Sequence, residues 1–290
     1  MGKETTEPII SFFSSGRLIQ ELNHTFIALV SKSPDAIHLN DFIPISCYNT
    51  LHKFIAKILA NRLLSVIEGL ISDNQCAFLT DRLISDCFLL SHELVRDFNK
   101  PIGSRACTKI DLKNAFDSIN REFVYFITHC LEFPPVWINW IKECIQKPMF
   151  SVLINGSPVG YFGSSRGIRK DNPISPYIFV IIMEFWTVQM DLAIASGTLQ
   201  PPKREMPVVV SHLIFEDDML IFCKANKKSF NTINSLLDSL AMNNSLTINR
   251  EKRKLFLSKV CKEREKLADL IQIPVGCFPV RHLGRPLSQN

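Results

Sequence analysis

Three consecutive carboxylates, Glu216, Asp217 and Asp218, interrupt an otherwise apolar stretch at residues 211–223. Adjacent carboxylates repel one another and destabilise a fold unless a cation neutralises them. Hard oxygen donors of this kind suit Mg²⁺ or Mn²⁺, and a two-metal site needs at least one more carboxylate from elsewhere in the chain. A solvated acidic loop is the competing reading, although such a loop seldom separates two runs that would both be buried. Asp111 is the candidate for the additional ligand.

The elements that must position these groups are legible around them. β-branched and aromatic runs at 208–215 and 219–222 predict a β-hairpin with Glu216, Asp217 and Asp218 at its turn, which carries no Asn-Gly or Asp-Gly pair. Asp111 ends an apolar run at 106–111 that reads as a strand. Phe116, Ile119, Phe123, Phe126, Ile127, Cys130 and Leu131 then recur at helical spacing, so Asp111 falls at a strand-to-helix junction.

With these residues in view, Lys109-Ile110-Asp111-Leu112-Lys113-Asn114-Ala115-Phe116-Asp117-Ser118 and Phe215-Glu216-Asp217-Asp218 resemble the two metal-binding motifs of reverse transcriptases, specifically those of plant LINE-type (non-LTR) retrotransposons. Glu216 departs from the family's alanine. Phe42-Ile43-Pro44-Ile45-Ser46 resembles Phe-Arg-Pro-Ile-Ser with its arginine lost, and 74–82 resembles Gln-x-Ala-Phe-x-Pro-Gly-Arg with Thr80-Asp81 in place of Pro-Gly. The loop Arg169-Lys170-Asp171-Asn172-Pro173-Ile174-Ser175-Pro176 resembles Arg-Gln-Gly-Asp-Pro-Leu-Ser-Pro. Asn249 followed by Lys252 resembles a further segment, and Arg281-His282-Leu283-Gly284 the primer-gripping turn.

The resemblance implies an α+β fold: a right-hand polymerase palm with a small antiparallel sheet backed by helices, helical fingers, and a thumb largely absent. It divides the chain into a tail (1–17), fingers (18–105), palm (106–270, with a fingers-like insertion near 148–166) and a primer-grip turn with the truncated start of a thumb (271–290). It implies RNA-directed DNA polymerisation by a two-metal mechanism, with Asp111, Asp217 and Asp218 holding two Mg²⁺ ions (Mn²⁺ being an alternative) and Lys252 protonating the pyrophosphate, and the altered motifs around these residues point to a degraded or low-activity copy. Phe116, Arg169, Lys170 and Pro173 would face the deoxynucleoside triphosphate, Phe116 as the gate against a 2′-hydroxyl. Lys53, Gln75, Arg82, His282 and Gly284 would face the RNA template and DNA primer.

Whole-chain properties accord with this without requiring it. The chain has 290 residues, is 46% hydrophobic and carries a formal net charge of +5, enough for a sizeable core and a mild affinity for polyanions. Its nine cysteines lack zinc-type spacing, which points to free thiols in a reducing compartment, nuclear or cytoplasmic. The apolar run at 177–183 is too short to span a bilayer, so no membrane is expected. Oligomeric state is not legible. Residues 51–63 read as a helix with an apolar stripe and a basic face, 84–98 as a helix with Leu89, Leu90, Leu94 and Phe98 inward, 136–145 as a helix, 150–162 as a hairpin about Asn155-Gly156, and 201–205 as a linker. Three functions fit the carboxylates: a polymerase, an RNA-binding remnant of the same fold that has lost activity, and a two-metal nuclease. The order of the motifs disfavours the nuclease.

Overall fold

The computed structural model describes residues 2–96, 98–202 and 210–289. In chain order its elements are α1 (Lys3–Ser15), β1 (His24–Ser31), β2 (Phe42–Tyr48), α2 (Thr50–Ile67), α3 (Ile84–Arg96), β3 (Arg105–Lys113), the single turn α4 (Ala115–Ser118), α5 (Arg121–Cys130), α6 (Pro135–Ile145), β4 (Met149–Ile154), β5 (Ser157–Gly163), α7 (Ser175–Ala195), β6 (His212–Phe215), β7 (Asp218–Lys224), α8 (Lys227–Asn244), β8 (Thr247–Ile248), β9 (Lys254–Leu257), α9 (Arg264–Ile271), β10 (Val280–His282) and β11 (Arg285–Leu287). They form two compact units, Met1–Ile67 with Phe116–Ile178, and Glu68–Ala115 with Phe179–Asn290. Lys203, Arg204 and Glu205 of the expected linker, and Val208 and Val209 at the start of the expected hairpin, lie outside the described residues.

The first unit is built on a four-stranded sheet of order β2-β1-β4-β5. β1 runs antiparallel to β2 and parallel to β4, and the Asn155-Gly156 turn returns β4 antiparallel into β5. β1 and β2 thus add strands to fingers expected to be helical as a whole, while Pro44 and the β-branched residues beside it favour the extended backbone seen at 42–48. α2 buries Ile55, Leu59 and Leu63 together with His52. The helix expected from residue 116 breaks into α4 and α5, since Asn120 adopts an extended conformation and its side chain accepts from the Glu122 N–H, capping α5. Phe126, expected on the buried stripe, is 55% exposed.

The second unit centres on β3. β7 pairs along one side of it, while β9 and β8 pair along the other, all antiparallel. β6 joins β7 through the two-residue turn Glu216-Asp217. Strand alternation puts Cys107, Lys109 and Asp111 on one face of β3. The apolar part of that face lies in a core with Leu220, Phe222, Leu94, Val95, Phe98 and Leu287. α3 turns Cys87, Ser91, Leu94 and Val95 inward and leaves Leu89 64% exposed, contrary to the expected stripe. α7 corrects the reading of 177–183: by length and composition it is the one described helix long and apolar enough to cross a membrane. It is a core helix, with Phe179, Val180, Ile182, Met183, Trp186 and Met190 buried in this unit.

Candidate active site

Asp111 and Asp218 are register partners across β3 and β7. Directly opposed residues share a sheet face, so both carboxylates emerge side by side. Asp217 sits in the turn one residue earlier, and its carbonyl accepts from the Leu112 N–H at 3.0 Å, which closes the hairpin onto the end of β3. Burial raises the Asp217 carboxyl above the usual carboxylate range, and the charges of Asp111 and Asp218 push it further up. Glu216, half-buried, takes φ +54° at the first turn position. In two-residue hairpins that position favours glycine, so an acidic side chain there strains the backbone.

Asp111 is held from several directions. Asn249 donates its N–H to the Asp111 carbonyl at 2.7 Å and its Nδ2 to Oδ2 at 3.0 Å. Lys252 Nζ donates to Oδ1 at 3.1 Å. The hydrogen bond to Asp111 raises the Lys252 ammonium's pKa, as does that carboxylate's charge, so the lysine stays a protonated donor. The Asn-x-x-Lys spacing, read from sequence as one motif, here places two donors on the two oxygens of a single carboxylate.

Asp218 has its own cation, which the sequence reading missed. Lys109 Nζ lies 3.1 Å from Asp218 Oδ1 and 3.3 Å from Oδ2, and also donates to the Arg281 carbonyl at 3.2 Å. The signal that could have found it is alternation, since Lys109 precedes Asp111 by two residues on the same strand face. The β10–β11 hairpin turns at Leu283 (φ +49°) and Gly284 (φ +79°), both left-handed, as a type I′ turn requires. His282 is buried, with Nδ1 4.0 Å from Asp218 Oδ2, and burial pulls its pKa down to about 4 with help from the Lys109 charge. A neutral His282 inside the hairpin offers nucleic acid no charge, while Gly284 stays exposed.

Arg82 and Gln75 lie in the same unit but are spent elsewhere. The Arg82 guanidinium donates to the carbonyls of Ser72, Gln75 and Ile71 and meets Asp73, wrapping the 71–75 loop. Gln75 is buried and its Oε1 accepts from the Ala77 N–H at 3.2 Å. Ser72 donates from both its N–H and its hydroxyl to Glu184, whose carboxyl burial raises.

The remaining expected residues lie in the first unit. Phe116 is buried, and its carbonyl accepts from the Ile168 N–H at 2.8 Å. Arg169 is a buried cation. It donates to the carbonyl and side chain of Asn23, stacks 5.4 Å from the Tyr48 ring and 6.0 Å from Phe150, and burial lowers its pKa to about 10. Lys170 is exposed and Pro173 half-buried. Asn172, one of the family departures, is buried, and its side chain accepts from the Ile174 N–H, the turn-forming bond an aspartate would also make. Asp171 accepts weakly from the Ser46 N–H at 3.4 Å. Lys53 is exposed beside the Tyr48 ring.

Arg121 escaped the sequence reading altogether. Its guanidinium donates to the carbonyls of Ser164, Arg166 and Gly167 and to the Ser164 hydroxyl, fixing the 164–167 loop. Gly167 is there because a Cβ would stand 2.6 Å from the Asp117 carbonyl oxygen. This loop borders a cavity of about 660 Å³ walled by Ile27, Ile43, Ile45 and Phe150 with Asp117 and Arg166. Ile43, standing where the family has arginine, gives that cavity an apolar wall.

Among the described residues, no group of three or more His, Cys, Asp or Glu side chains forms a ready metal site. The donor chemistry nonetheless fits a hard divalent cation: Asp111 faces Asp218 in register, Asp217 adjoins it in the turn, and the Asp217 carboxyl is raised by burial and by the other two charges, which a cation would relieve. Lysine ammoniums presently supply the counter-charge at two of the three.

The profile of a family described as reverse transcriptase (RNA-dependent DNA polymerase) matches residues 31–284. The chain is 23% identical over 221 residues to the Transposon TX1 uncharacterized 149 kDa protein of Xenopus laevis, covering 76% of this chain and 17% of that protein. It is 22% identical over 229 residues to the retrovirus-related Pol polyprotein of the type-2 retrotransposable element R2DM of Drosophila melanogaster, covering 78% and 21%. Over 67 residues it is 34% identical to an uncharacterized mitochondrial protein of Arabidopsis thaliana, covering 23% of this chain and 55% of that one. In fold it is similar to telomerase from Candida tropicalis, with TM-score 0.57 at 11% identity, covering 88% of this chain and 44% of that chain. The chain spans about a fifth of the length of the first two relatives.

Proposed function

The chain belongs to the reverse transcriptase (RNA-dependent DNA polymerase) family, and from that premise we propose that it is the fingers and palm of a plant LINE-type retrotransposon polymerase that copies RNA into DNA. The observation that carries this is the pairing of Asp111 with Asp218 across β3 and β7, with Asp217 crowded between them in charge. Members of the family use divalent metal ions, and Asp111, Asp217 and Asp218 are the residues that would hold two Mg²⁺ or Mn²⁺ here. The chemistry such a pair supplies is activation of a primer 3′-hydroxyl and stabilisation of a pyrophosphate leaving group.

The chain's own groups do the positioning. Asn249 fixes the Asp111 carboxylate in rotation, and Lys252, kept protonated by that carboxylate, holds a proton suited to a departing phosphate oxygen. The β10–β11 hairpin beside Asp218 would guide a primer, with exposed Gly284 allowing close approach. Phe116, Lys170 and Pro173 are assigned to the triphosphate and Lys53 to the template. Arg169, Arg82 and Gln75 are assigned to holding the backbone around those sites, because their side chains are already bonded there, and His282 to packing under the β10–β11 hairpin, because it is buried. The free cysteines fit a reducing compartment, the nucleus or cytoplasm.

Primer extension on a poly(rA) template with oligo(dT), run separately with Mg²⁺ and with Mn²⁺, tests the reading. Extension by the parent chain that disappears in Asp217→Asn supports it. RNA binding without extension under either metal, from a chain with intact folding, identifies the protein as an inactive remnant.

A further inference from the structure

Lys109 has a geometry that nucleic-acid attraction does not explain. Its side chain is only 12% exposed. An ammonium withdrawn from water needs local partners, and here it donates to Asp218 Oδ2 at 3.3 Å and to the Arg281 carbonyl at 3.2 Å, with Asp218 Oδ1 at ion-pair distance, 3.1 Å. β3 contributes the lysine, β7 the carboxylate and β10 the carbonyl, so one cation joins three strands that the chain connects only through long detours. The β10–β11 hairpin has strands of three residues each. A pair that short has little stability of its own and takes its position from what it packs against. Leu287 seats its far strand in the core with α3's Leu94 and Val95, and Val280 and Leu283 pack against the same core, while Lys109 adds a hydrogen bond to the hairpin's backbone on the side of the aspartates.

We propose that Lys109 is a positioning residue: its buried ammonium clamps the backbone of the β10–β11 hairpin to Asp218 and so sets that hairpin's registration on the catalytic carboxylates. This rests on the assignment of Asp111, Asp217 and Asp218 as the polymerase carboxylates. Lys109 also supplies one of the two ammoniums offsetting three carboxylates, so the clamp and a divalent ion compete for the same oxygens of Asp218.

The test is backbone hydrogen exchange over residues 280–287, with Mn²⁺ affinity read by electron paramagnetic resonance, in the parent chain, Lys109→Met, Lys109→Arg and Asp218→Asn. Lys109→Met is expected to speed exchange across 280–287 by about tenfold or more while 105–108 and 220–224 keep their protection. Lys109→Arg, which retains charge and donors, is expected to restore most of that protection. Asp218→Asn, which weakens the tie from its other end, is expected to speed exchange in the same segment, and it carries the test should Lys109→Met not fold. Lys109→Met is also expected to tighten Mn²⁺ several-fold by removing the competing charge, and to raise KM for primer–template more than it lowers kcat. Unchanged exchange at 280–287 in both Lys109→Met and Asp218→Asn overturns the clamp even where the parent extends primers. A parent that neither binds Mn²⁺ nor extends primers overturns the polymerase assignment, while the loosened exchange still upholds the clamp.

Discussion

Both units tie arginines to backbone carbonyls, Arg82 in the second among them, and the second also sets carboxylates side by side. In the first, Arg169 and Arg121 are buried, and their guanidiniums are consumed by backbone carbonyls and neutral side chains. In the second, Asp111, Asp217 and Asp218 stay close to one another, offset by two lysines whose bonds a stronger cation could replace. A buried arginine tied to carbonyls fixes a loop and resists exchange of partners, whereas carboxylates facing lysines form a cluster whose counter-ions can change. The first arrangement suits a scaffold, the second a site that takes up metal ions and substrate.

The largest expected effect is at the carboxylates. Asp217→Asn should reduce primer extension by on the order of 10³-fold or more, since a metal contact contributes several kcal/mol to the barrier. The same change should raise the melting temperature, because the folded Asp217 carboxyl titrates above its unfolded value and its ionised form is disfavoured by burial and by Asp111 and Asp218. Full activity, or a lowered melting temperature, would break the contrast between the units.

Next in size, Arg169→Met should destabilise the first unit by about 3 kcal/mol, because the Asn23 carbonyl and side chain lose a charged donor in a buried site. Hydrogen exchange should show the loss in β1, β2 and α2. Equal loosening in β3 and β7 would count against the scaffold role. Histidine sharpens the same point. Burial lowers His52 to about 4, aided by the Arg169 charge, and burial alone lowers His212 to about 4. A depressed folded pKa means stability is complete above the unfolded value near 6.5 and is lost as pH falls towards 4. His52→Asn should flatten that acid limb for the first unit, as followed by urea midpoints from pH 7 to pH 4; an unchanged limb would contradict it.

The smallest effect is at the turn. Glu216→Gly should stabilise the chain by about 1 kcal/mol, because glycine accepts φ +54° without strain. Glu216→Ala, which restores the family residue, should raise any extension activity. No gain in Glu216→Ala, alone or combined with Lys170→Gln, Asp171→Gly and Asn172→Asp, would show that these departures do not limit extension.

How much of this could be read beforehand depends on whether a residue's role is local. The β6–β7 turn, the strand ending near Asp111 and the 155–156 hairpin follow from short-range patterning. Asn249 and Lys252 were legible through their spacing. Sequence places Arg82 on template and primer and Arg169 on the triphosphate because it shows a cation but not the carbonyls that occupy it, one of them 146 residues away. Arg121 has no local signature for the same reason. Periodicity puts Leu89 and Phe126 inward because a long apolar run fits several helical stripes, and only the packing partners choose among them.

Arg82 has one more consequence. β6 is the outermost strand of its sheet, and a bare outer strand offers unpaired N–H and C=O groups to any passing chain. Here Cys76 N–H donates to the Ile214 carbonyl at 2.8 Å and Ile214 N–H to the Asn74 carbonyl at 2.9 Å. The 74–76 loop therefore occupies the margin a foreign strand would use, and Arg82, wrapped around that loop, keeps it in place. Its arginine guards the sheet beside the carboxylates against aggregation.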